Sequence, residues 1–126
     1  MKKTTKRETG DLGEDIVVNL IKKKGWQIVE RNFLRPWGEI DIVAREKNKT
    51  HFIEVKTRTV RPQFKSFYRG EEAVHYKKQS RLARIIQTYL SQNDIKDWQI
   101  DIVVVELDKE NKQAKMRWLK NVIFEN

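Results

Sequence analysis

The chain has 126 residues and a net charge of +9, from 27 Lys and Arg against 18 Asp and Glu. That length fits a single compact domain over residues 1–126 with one sizeable core, and four Trp, three Tyr and five Phe argue against intrinsic disorder. The absence of cysteine excludes a disulfide framework, a zinc ribbon and thiol chemistry, and two histidines cannot build a multi-His metal site.

The first periodic segment spans residues 7–24. Leu12, Ile16, Val17, Leu20 and Ile21 fall on one side of a helix at 100° per residue. Lys22, Lys23 and Lys24 fill its last turn and Gly25 follows, which is a stop signal. Gly13 lies near the middle of the apolar face, where it costs helix propensity and suggests close packing. Glu14 projects near Ile21 on the wheel, at the border of the buried face.

The period then changes to two. Residues 26–31 read as a short strand and 33–38 as a connection containing Pro36 and Gly38. Residues 39–45 alternate, with Ile40, Ile42 and Ala44 on one face and Glu39, Asp41, Val43 and Arg45 on the other. Lys47-Asn48-Lys49 is a turn signal, and residues 50–57 form a partner strand with His51, Ile53 and Val55 opposite Phe52, Glu54 and Lys56. Residues 58–71 are basic and aromatic and read as a long loop. A second helix starts at residue 71 or 72 and runs to 91, with Leu82, Ile85, Ile86 and Tyr89 in its apolar stripe. Residues 99–107 are a β-branched run suited to a buried strand, 108–111 turn the chain, and 115–124 form a last, edge strand. The order α-β-β-β-α-β-β implies an α/β fold, a mixed sheet flanked by helices.

The charge is uneven. Residues 56–84 hold nine basic and two acidic side chains, net +7, which suggests a polyanion partner such as nucleic acid or an acidic membrane surface, the alternative being a solvated basic face; the start of the stretch at Lys56 favours nucleic acid. The longest uncharged run, residues 85–93, is too short to cross a bilayer. Basic Lys2, Lys3, Lys6 and Arg7 lead into polar residues, so no signal peptide is expected and the cytoplasm is the expected location.

The hairpin carries the chemistry. With the turn centred on Lys47 and Asn48, Asp41 faces Glu54 and Glu39 faces Lys56. Side chains so opposed lie about 4.5–5.5 Å apart at Cβ, and two carboxylates there repel each other. A divalent cation reverses the sign of that interaction, and hard oxygen ligands suit Mg²⁺ or Mn²⁺. A slipped register, or a solvated face answered by Arg45 and nearby Lys, is the alternative.

Gly38-Glu39-Ile40-Asp41 followed by Phe52-Ile53-Glu54-Val55-Lys56-Thr57-Arg58 resembles the PD-(D/E)XK nuclease superfamily. Taken with Gly10, Gly13-Glu14-Asp15, Arg31-Asn32, Lys78-Gln79 and Asp101-Ile102-Val103-Val104, the pattern is similar to the YraN-type family of small bacterial proteins, and also to archaeal Holliday-junction resolvases. The resemblance implies a restriction-endonuclease-like core. It implies Asp41 and Glu54 as ligands of Mg²⁺ or Mn²⁺, joined by the Val55 carbonyl, with Lys56 as the catalytic lysine and Glu14 completing the acidic cluster. Glu14 also fits the helix-dipole role of an acidic residue early in a helix. Ile40 stands where the superfamily motif has its proline.

The expected function is metal-dependent hydrolysis of phosphodiester bonds in DNA, with branched or junction DNA among the candidate substrates. Arg58, Arg61, Lys65, Arg69, Lys77, Lys78, Gln79 and Arg81 are the candidate nucleic-acid contacts, and Phe64, Phe67 and Tyr68 could stack on unpaired bases or pin the loop to the core. A homodimer would suit a four-way junction. A non-catalytic nucleic-acid-binding module is the alternative, and a basic protein of ribosomes or membrane surfaces ranks last. Asp101, in an otherwise apolar strand, reads as a structural buried residue, and His51 and His75 as non-catalytic.

Overall fold

A computed structural model describes residues 6–60 and 76–123, and the side chains of Lys6 and residues 76–79 lie outside that description. The elements are α1 (Lys6–Lys23), β1 (Gln27–Arg35), β2 (Gly38–Glu46), β3 (Lys49–Thr59), α2 (Tyr76–Gln92), β4 (Trp98–Asp108) and β5 (Gln113–Leu119). This is the expected α-β-β-β-α-β-β order, consistent with a restriction-endonuclease-like core. The five strands form one sheet in the order β1-β2-β3-β4-β5. Only β3 and β4 run parallel, joined across α2; the other pairs are antiparallel.

The two helices bury opposite faces of the sheet. Val17, Val18 and Ile21 of α1 pack with Ile42, Ala44, Ile53, Val103 and Val105. Leu82, Ile85, Ile86 and Tyr89 of α2 pack with Phe33, Ile40, Val43 and Phe52. The α2 stripe is the expected one. The α1 stripe is turned: Leu12 is 46% exposed while Val18 is buried. The buried positions 14, 17, 18 and 21 follow the i, i+3, i+4, i+7 spacing, so Glu14 lies within the buried stripe and not at its border. Gly13 allows this close approach, because a Cβ there would overlap Thr57 Oγ1 and stand 2.8 Å from Thr57 Cβ on β3.

Several boundaries differ from those expected. Phe33 to Arg35 belong to β1, because Phe33 and Leu34 pair with Ile40 and Glu39 and leave only Pro36 and Trp37 to turn the chain. Arg58 and Thr59 extend β3, drawn on by parallel pairing with Glu106 and Leu107. β5 ends at Leu119, beyond which Val122 N–H donates to the Ile100 carbonyl. The loop residues Arg61, Phe64, Lys65, Phe67, Tyr68 and Arg69, the start of the second helix at 71 or 72, and His75 lie outside the described residues. No helix among the described residues is long and apolar enough to cross a membrane.

Candidate active site at the strand fork

The β2–β3 hairpin turns at Lys47 and Asn48 and has the expected register, with Glu46 opposite Lys49 and Ile42 opposite Ile53. There the ladder stops. The expected direct pairs Asp41–Glu54 and Glu39–Lys56 do not form, and Glu39 pairs with Leu34 of β1. Side-chain alternation along β2 breaks at the same place. Ile42 and Ala44 face α1, whereas Ile40 joins Val43 on the α2 side. Asp41 sits at that break, and its Oδ2 accepts the main-chain N–H of Val55 at 2.8 Å. The carboxylate thus takes a hydrogen bond where the ladder would otherwise have continued, and the two strands part.

Two clefts meet at this fork. One, of about 380 Å³, is lined by Arg35, Trp37, Glu39, Asp41, Glu54 and Arg81 among others. The second, of about 540 Å³, is lined by Arg7, Asp11, Glu14, Asn32, Glu39 and Asp41 among others. Leu34, Glu39, Asp41 and Val55 line both. Asp41 is therefore the hub, with Glu54 on the α2 side and Glu14 on the α1 side.

The electrostatics follow from that crowding. Burial, then the charge of Glu54, pushes the Asp41 carboxyl up to about 8; Glu39 and Glu14 add to this, and the Val55 N–H opposes it. Glu54 is 5% and Glu14 7% exposed. Glu14 Oε1 is held by Arg31, whose Nε–H and Nη2 both lie 3.0 Å away, while Nη2 also reaches Asp15 Oδ1 at 2.7 Å. Arg31 thus neutralises one member of the cluster and leaves Asp41 among the others.

The remaining expected residues divide. Lys56 shares the Glu54 face of β3, two positions on, but lines neither cleft. Arg81 lines the smaller cleft and Arg58 lies half-buried in β3. Lys77, Lys78 and Gln79 belong to the first turn of α2, their side chains undescribed. Among the described residues no three carboxylate or imidazole groups are so placed that they could hold a metal ion together. Arg31, Leu34 and Arg35 carry parts of the site that pattern alone did not assign. The signal for Leu34 was an apolar residue in a polar edge strand beside a Pro-Trp turn.

His51 and Asp101 are brought together elsewhere, in neither of these clefts. His51 Nδ1 lies 2.7 Å from Asp101 Oδ2, and its Nε2 lies 3.1 Å from Glu46 Oε1. The Gln99 amide and the Asn121 N–H donate to Asp101 Oδ1 at 2.7 and 2.9 Å.

Fold and fork together define an α/β protein with a helix-flanked mixed sheet and an acidic cluster where two of its strands part. The family model described as "Uncharacterised protein family UPF0102" matches residues 13–105, and the chain belongs to that family. Its relatives include a UPF0102 protein of Caldanaerobacter subterraneus subsp. tengcongensis, 40% identical over 112 residues that cover 87% of this chain and 88% of the relative. One from Acetivibrio thermocellus is 39% identical over 111 residues, covering 87% and 82%. One from Alkaliphilus oremlandii is 36% identical over 117 residues, covering 91% and 97%.

Proposed function

We propose that the chain is a divalent-cation-dependent nuclease that hydrolyses phosphodiester bonds of DNA at the fork between β2 and β3. The observation that carries this reading is the state of Asp41. It is half-buried beside the buried Glu54 and pushed up to about 8, with Glu39 and Glu14 adding to the negative field. Stability alone does not favour such a cluster; a cation there relieves it. The donor set fits Mg²⁺ or Mn²⁺, which are commonly held by one or two carboxylates with water and substrate phosphate completing the shell.

Asp41 and Glu54, with the Val55 carbonyl, would hold the ion. A bound Mg²⁺ or Mn²⁺ polarises a phosphoryl oxygen and lowers the pKa of water. Lys56 would steady the attacking water and the charge that develops on the phosphoryl oxygens. Glu14, anchored by Arg31, keeps a second carboxylate on the far side of Asp41. Arg81 and Arg35 at one mouth and Arg7 at the other offer cations to the phosphate backbone, with salt-sensitive affinity.

A non-catalytic nucleic-acid-binding module is the second reading. It is favoured by one observation, that Lys56 lines neither cleft. The deciding experiment incubates labelled junction, flap, single-stranded and duplex DNA, and RNA, with Mg²⁺, Mn²⁺ or EDTA. Metal-dependent cutting by the natural chain, absent in Glu54→Ala and Lys56→Ala, is the expected result. Binding without cutting on every substrate would favour the second reading.

A further inference from the structure

Leu34 is 63% exposed, and among the described residues only Ile123 exposes a larger fraction of a large apolar side chain. Single exposed leucines are ordinary. The place of this one is not, because it stands on the rim shared by both clefts, beside Asp41.

The corner that carries it packs on α2 and on its own strand. Trp37 Nε1–H donates to Thr88 Oγ1 of α2 at 3.1 Å, and the Arg84 guanidinium lies 5.0 Å from the Trp37 ring centre. Gly38 lets α2 close on the corner, since a Cβ there would stand 3.1 Å from the Arg81 carbonyl oxygen. Arg35 Nη1–H donates to the Leu34 carbonyl at 2.7 Å, while its guanidinium sits 4.3 Å from the Phe33 ring centre. The Leu34 carbonyl thereby takes a hydrogen bond, and a cation stands at the adjoining position.

An apolar side chain that protrudes from a packed corner and is flanked by arginines has the properties of a wedge that enters between stacked bases. We infer that Leu34 is a wedge that unstacks a base step beside the acidic fork, so that the chain favours nucleic acid whose stacking is already interrupted. This inference rests on the nuclease reading above. Unstacking costs a few kcal/mol per step in a perfect duplex and less where a base is unpaired. The wedge therefore makes Leu34 a specificity-determining residue, whereas the arginines beside it bind any phosphate backbone.

The test measures binding of two DNA duplexes, one perfect and one with a single unpaired nucleotide, each carrying 2-aminopurine at the same step. Ca²⁺ replaces Mg²⁺ so that neither is cut, and cleavage of both is followed separately with Mg²⁺. The natural chain is expected to prefer the bulged duplex by about fivefold and to raise the 2-aminopurine emission. Leu34→Ala should keep its affinity for the perfect duplex within about twofold, lose the preference and lose the emission change. Leu34→Met should restore both. Its thermal midpoint, measured alongside, should match that of the natural chain, since the side chain packs little. An unchanged preference and emission in Leu34→Ala would overturn the wedge and leave the nuclease proposal standing. Failure of the natural chain to bind or cut either duplex would overturn both.

Discussion

Two aspartates on this sheet, one fully buried and one half-buried, have opposite fates. Asp101, on β4, has no exposed surface. Burial alone would raise its pKa, but hydrogen bonds from His51, Asn121 N–H and Gln99 together hold it below the usual carboxylate value. Asp41, on β2, accepts a main-chain hydrogen bond from Val55 N–H, and burial with the neighbouring Glu54 pushes it up to about 8. Desolvation pushes both upward, so it does not decide. Donors aimed at Asp101 make it a structural anchor; carboxylates around Asp41 leave negative charge that only a proton or a cation can answer.

The largest effect on stability should come from the anchor. Asp101→Ala leaves His51 and Gln99 without their buried partner, and thermal or urea unfolding should show a loss of about 3–5 kcal/mol. Asp41→Asn should do the reverse. The folded pKa near 8 lies above the ordinary aspartate value of 3.8, so the native state gains from the proton below about pH 4 and loses that gain as pH rises through 8. Without divalent cations, the natural chain's melting temperature should therefore fall from about pH 5 to pH 8. Asp41→Asn should flatten that slope and be more stable at pH 8 by on the order of 2–4 kcal/mol. A variant that destabilises at every pH would place Asp41 in the same class as Asp101.

Gly13→Ala should cost about 1–3 kcal/mol, because the new methyl group meets Thr57 and pushes α1, with Glu14, away from β3. Lys56→Met should move stability least, within about 0.5 kcal/mol, while removing cleavage in the assay proposed above. A large loss of stability in Lys56→Met would make that lysine part of the packing and not of the chemistry.

Much of this contrast was legible in the residues. The two-residue periodicity of β2 and β3 and the Lys47-Asn48 turn set the register, which puts Asp41 near Glu54. The α2 stripe was readable because Leu82, Ile85, Ile86 and Tyr89 keep strict helical spacing. The fork was not readable. Alternation rules assume a continuing ladder, whereas the Asp41 carboxylate takes the Val55 N–H and ends it. The extension of β1 through Arg35 was hidden by Pro36 and Gly38, which mark a loop equally well. Arg31's fork onto Glu14 and Asp15 joins residues sixteen and seventeen positions apart, a contact that local pattern does not encode. The place of Val18 is not legible because the six apolar residues of α1 allow two neighbouring faces, and packing chooses between them.

The measurement that tests the central claim most directly is calorimetric titration of the natural chain with Mn²⁺ at pH 8, beside Glu54→Gln and Asp41→Asn. The account predicts saturable binding by the natural chain and its loss in both variants, with all three folded by circular dichroism. Binding that is absent from the natural chain, or equal in all three, would contradict a metal site at the fork.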